Sequence, residues 1–150
     1  MPQSTGANLE VGVDTETAFG STPGVPDGKV IHLISSTVAA KRGQIQNDVM
    51  RKSRQPFKPT NGNLDISGTL TTNLDATGFG FLLKHMLGDP ATSGAGPYTH
   101  VYKAGNTMPA GMVLEHNFTD QTSGNFKHLF NGVRLNNMNI ELPQEGFVNV

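Results

Sequence analysis

Five histidines, His32, His85, His100, His116 and His128, supply the side chain most often recruited to hold a metal or move a proton. They sit 12 or more residues apart and form neither His-x-His nor His-Glu-x-x-His, so spacing predicts no metal centre. The closest carboxylate pairs are Asp14 with Glu16 and Glu141 with Glu145. An acid/base couple needs burial to separate its two pKa values, and both pairs fall in segments that read as polar and exposed. Gly24 to Lys29 resembles a phosphate loop, but one residue is missing between its glycines and Val30 stands where a hydroxyl is required. Ser93-Gly94-Ala95-Gly96 lacks the Gly-x-Ser-x-Gly frame of a nucleophile elbow. No catalytic, metal or cofactor-binding residue is assigned, and the chain does not read as an enzyme.

The residues left with a chemical role are charges. Six of the eleven Lys and Arg lie between Lys41 and Lys58, against one acid, Asp48. Residues 1–40 lean the other way, with Glu10, Asp14, Glu16 and Asp27 against Lys29 alone. Phosphate binding by the basic run would need more than Phe57 for stacking, and no nucleic-acid-binding signature accompanies it. A contact between copies fits better. The candidates for it are Arg51, Lys52, Arg54, Gln55, Phe57 and Lys58 on one side and Glu10, Asp14 and Glu16 on the other.

The elements that must position these charges read mainly as strands. Residues 1–28 are rich in Ser, Thr, Gly and Pro and are expected to form an extended arm or loop. Lys29 to Asn47 alternates loosely, with a break at Ser35-Ser36 and a bulge at Gly43. Residues 48–63 carry no period and are expected to be a long basic loop. Leu64, Ile66, Gly68, Leu70, Thr72 and Leu74 then alternate strictly with polar residues, which predicts a half-buried strand. A short helix is expected over about 75–88, capped by Asp75 or Thr77, its apolar face formed by Phe79, Leu82, Leu83, Met86 and Leu87, with His85 at the solvent edge. Further strands are expected at Tyr98–Tyr102, Met112–Phe118, Lys127–Gly132 and Val133–Leu142. Gly146 to Val150 reads as the opening of another strand, which suggests a fragment of a longer protein or a sheet completed by a neighbour.

Composition sets the outer bounds. At 150 residues, one domain over 1–150 is expected. Eighteen glycines and nine prolines favour turns and strands over long helices. The absence of cysteine rules out a disulfide framework or a thiolate metal site. No apolar run approaches a membrane span, and the N-terminus has no basic segment followed by an apolar one, so the sequon Asn117-Phe118-Thr119 reads as a chance match.

Several segments in order resemble the tail tube proteins of long-tailed phages with non-contractile tails. They are Glu16-Thr17-Ala18-Phe19-Gly20-Ser21-Thr22-Pro23, Ser53-Arg54-Gln55-Pro56, Gly62-Asn63-Leu64-Asp65-Ile66-Ser67-Gly68, Gly80 to Gly88 on the helix, Gly96-Pro97-Tyr98-Thr99-His100, and the closing Glu145-Gly146-Phe147. The resemblance implies a β-sandwich or barrel-like core with one short flanking helix, six copies closing into a ring, and rings stacking into a tube in the virion tail after assembly in the host cytoplasm. It implies a tape measure protein, a tail terminator and distal tail proteins as partners, and DNA passing through the lumen without being read. No membrane or small-molecule substrate is implied. Two rival readings are a related tail or neck component, such as a terminator or completion protein that caps the tube, and a β-sandwich adhesion or carbohydrate-binding module. With no Trp and two Tyr, the chain is poorly equipped for the second.

Overall fold

The computed structural model describes residues 8–23, 28–47, 49, 52, 55, 57–76, 78–119 and 126–150. The protein is mainly β with one short helix, sandwich-like in character and without a closed barrel among the described residues. It forms two compact units, one of residues 1–34 with 71–150 and one of residues 35–70.

The first unit is built on a four-stranded antiparallel sheet. Its strands are β1 (Leu9–Thr15), β2 (Lys29–Ile31), β9 (Met112–Phe118) and β10 (Phe126–Val133), in the order β10-β9-β1-β2. Seven consecutive pairs, from Leu9 opposite Phe118 to Thr15 opposite Met112, join β1 to β9. Because side chains alternate along a strand, this register places Val11, His116 and His128 in one row and Val13, Leu114 and Phe130 in the next. Those rows form the core: Val11, Val13, Met112, Leu114 and Phe130 are buried. The opposite face carries Glu10, Gly12, Glu115, Asn117 and Lys127, and the Lys127 ammonium meets Glu115 Oε1 at 2.7 Å.

The expected arm over residues 1–28 is therefore corrected at its centre. Leu9, Val11 and Val13 alternate with Glu10, Gly12 and Asp14, and that period of two makes β1 an inner strand of the sheet. Residues 24–27 and 1–7 lie outside the described residues. The helix, α1 (Phe79–Leu87), starts at Gly78 with no side-chain cap and ends where Gly88, at φ +113°, turns its N–H back to Lys84 O. Thr77 lies outside the described residues, and Asp75 contributes its carbonyl, which accepts the Phe79 N–H at 2.9 Å.

Two short strands, β7 (Ala91–Ser93) and β8 (Thr99–Val101), form an exposed hairpin around the glycine-rich turn. Residues 134–140 form no strand, contrary to the expected Val133–Leu142 strand. The closing residues are paired inside the chain. Thr72 and Val150 exchange two N–H···O bonds of 2.8 Å, and Glu141 and Asn149 exchange two of 3.0 and 3.2 Å.

In the second unit β4 (Ala39–Ile45) pairs with β5 (Thr60–Ser67) as an antiparallel hairpin. The ladder shifts between Arg42 and Gln44, so Gly43 is a bulge as its sequence position predicts. The expected basic loop ends sooner than residue 63, because β5 begins at Thr60, which pairs with Ile45. The strict alternation from Leu64 to Leu74 breaks at Gly68-Thr69, where a Cβ on Gly68 would collide with Val38 backbone; β6 (Leu70–Thr72) follows and pairs with β3 (Leu33–Ser36). Leu64 and Ile66 are exposed, and none of the described residues of 35–70 is buried, so the half-buried reading of this strand does not hold in the single chain.

This contrast gives a direct expectation. Leu114→Ala empties a fully buried site and should cost about 2–5 kcal/mol in urea unfolding of the unassembled chain. Leu64→Ala should change it by no more than about 0.5 kcal/mol.

Candidate functional site

Glu16 follows β1 directly and is one of few buried charged residues, at 6% exposure. Its own N–H donates to Gly111 O at 3.1 Å. Its carboxylate accepts the Gly20 N–H through Oε2 at 3.0 Å and the Gly132 N–H through Oε1. Through its N–H and its carboxylate together, this one residue ties three segments: the loop after β1, the approach to β9, and the bulge near the end of β10, where the register shifts between Phe130 and Val133. Charge-assisted bonds to backbone N–H groups are among the stronger hydrogen bonds, which suits a group held out of water. Two glycines are required by this packing. A Cβ on Gly111 would overlap Glu16 Oε2, and Gly132 sits at φ +72° beneath the Phe19 ring.

The clasp presents an aromatic outward. Phe19 is 70% exposed. The Arg134 guanidinium lies 5.0 Å from its ring centroid and donates to Pro109 O at 3.0 Å. Thr22 and Asn131 hydrogen-bond side chain to side chain beside it. Sequence reasoning passed over Phe19 and Arg134 as site residues, although Phe19 stands in a quoted segment. The available signal was three glycines, Gly20, Gly111 and Gly132, whose roles emerge only when the chain is folded.

The acidic candidates divide. Glu10 lies exposed on β1 and accepts a long 3.5 Å hydrogen bond from Asn117 Nδ2. Asp14 Oδ1 accepts the Thr15 N–H at 2.7 Å, and its Oδ2 is buried with no partner among the described residues. Glu16 is the clasp. Among the basic candidates, Lys52, Gln55, Phe57 and Lys58 are exposed, and Arg51 and Arg54 lie outside the described residues.

The histidines form no metal cluster among the described residues, where no group of three or more His, Cys, Asp or Glu is placed to hold an ion. Three of them pack within the first unit. His85, expected at the solvent edge, is buried. Its Nδ1–H donates to Ala110 O at 3.0 Å, which leaves Nε2 to accept the Thr15 hydroxyl at 3.1 Å and pins α1 to β1. His116 and His128 face each other across the β9–β10 ladder among Phe118, Phe126 and Phe130.

The chain is thus β-rich, with a small core in its four-stranded sheet, an exposed β7–β8 hairpin and an outward-facing Phe19. The family model for phage tail tube proteins matches residues 6–150, and the chain belongs to that family. Its role is that of a structural component of the virion tail. Among curated proteins, none matches it in sequence. No helix among the described residues is long and apolar enough to cross a membrane.

Burial, and secondarily the charge of His128, holds His116 below its ordinary value of 6.5. The unfolded chain then binds the extra proton first, so stability is full above about pH 6.5 and falls as pH drops through that value, until His116 protonates in the fold as well. Urea midpoints measured from pH 7 to pH 5 should decline, and His116→Phe should flatten that decline.

Proposed function

We propose that copies of this chain self-assemble, head to tail, into stacked rings that form the tail tube and the conduit for DNA ejection. The whole of residues 1–150 acts as one tail tube domain. The observation that carries this reading is the β4–β5 hairpin. A two-stranded hairpin is marginally stable by itself in water, and this one leaves Leu64 and Ile66 exposed with no described residue buried in its unit. Such an element gains its missing burial from a partner.

Charge points to another copy as that partner. Residues 35–70 hold six cations and two acids, a net charge of +4, while the rest of the chain holds five cations and ten acids, a net charge of −5. A basic unit and an acidic unit on one chain attract each other between copies, which sets orientation and speeds encounter. Unlike surfaces in contact close rings or propagate filaments. Among the described residues the four-stranded sheet ends at β10 and β2, two further edges for the same purpose. Of the acids proposed to meet Arg51, Lys52 and Arg54, Glu10 remains the accessible one.

Six copies to a ring, stacking of rings, assembly in the host cytoplasm, and partnership with tape measure, terminator and distal tail proteins follow from the family resemblance. DNA then passes through the lumen with no sequence-specific contact. The reading is tested by following tube length and assembly rate against ionic strength for the natural chain and for an Arg51→Ser, Lys52→Ser, Arg54→Ser variant. Each exposed ion pair contributes at most about 1 kcal/mol, so the sum is salt-sensitive. The variant should assemble more slowly with a flatter salt response, and identical curves would remove the basic run from the contact.

A further inference from the structure

Phe19 is an aromatic that the single chain leaves largely exposed. A buried carboxylate and two sterically constrained glycines hold its loop, and Arg134 packs over the ring. Solvated aromatics forgo the burial that makes them dominant in interfaces, and rigid aromatic and arginine side chains are the commonest anchors there. An apolar surface of the opposite charge stands elsewhere on the same chain. Leu142 and Phe147 are each 78% exposed, with Glu141 and Glu145 beside them. This segment is also tied to the chain: the paired Glu141 and Asn149 close its base, and Gly146 turns it at φ +117°.

Resting on the self-assembly reading above, we propose that the Phe19–Arg134 platform of one copy docks on the Leu142–Phe147 segment of the next. Both patches expose apolar side chains, and the cation of the first complements the carboxylates of the second. The β4–β5 hairpin is a poor occupant, because its net positive charge faces Arg134 with the same sign. The two patches differ, so the contact is heterologous and leaves one free patch of each kind at either end of a growing assembly. Glu16 acts in this as a positioning residue, holding the loop that carries Phe19.

The experiment uses the full chain and measures the critical concentration for assembly by sedimentation, with thermal unfolding of the unassembled chain as the control for folding. Phe19→Ala should raise the critical concentration about tenfold or more with the melting transition retained. Arg134→Glu and Glu145→Arg should each impair assembly, and the two combined should restore it towards the natural level. The combined variant keeps the test decisive should a single substitution disturb the fold. Normal assembly by Phe19→Ala, or charge reversals that add without rescue, overturns the platform alone. Failure of the natural chain to assemble overturns the self-assembly reading and this contact with it.

Discussion

The β1–β9 ladder is the constraint on which the first unit rests. It joins residues 9–15 to residues 112–118, about a hundred positions apart, and it places Val11 and Val13 beside Leu114 and Met112. Closing so long a loop costs entropy before any contact rewards it. That cost is offset because several apolar side chains leave water together there, and burial yields about 25 cal/mol for each Å² of apolar surface. Other features of this unit attach to the ladder. β10 extends it from β9, β2 extends it from β1, and His85 ties the helix to Thr15 at its end.

Glu16 stands where that ladder stops, and it converts the sheet's end into a defined surface. A carboxylate out of water needs donors, and the Gly20 and Gly132 N–H groups meet that need while fixing the loop between them. Leaving such donors unsatisfied costs about 1–3 kcal/mol each. The same residue that appeared in sequence as one acid of an exposed pair is thus an internal strut, and the surface groups it arranges are Phe19 and Arg134.

What sequence revealed follows from where the physics is local. Met112–Phe118 was legible to the residue, because alternation and β-branched character act within a strand. The Gly43 bulge and the helix stop at Gly88 were legible for the same reason. β1 was misread because glycine, threonine and acidic residues around Val11 and Val13 resemble loop composition, and its identity depends on a partner about a hundred residues away. Leu64 and Ile66 were misread in the opposite sense. Their alternation is that of a half-buried strand, yet the single chain covers neither face. Of the site, the charge asymmetry was visible in composition, whereas the roles of Glu16, Gly111 and Gly132 arise from three segments meeting, which no local pattern encodes.

The proposed assembly requires the second unit to be incomplete in one chain and completed by its neighbour. Amide hydrogen exchange in β4 and β5, compared between the unassembled chain and the assembled tube, measures this most directly. Backbone amides of Ala39–Ile45 and Thr60–Ser67 should exchange quickly in the free chain and become strongly protected on assembly, while those of the β1–β9 ladder are protected in both. Equal exchange of the hairpin in the two states would contradict the account.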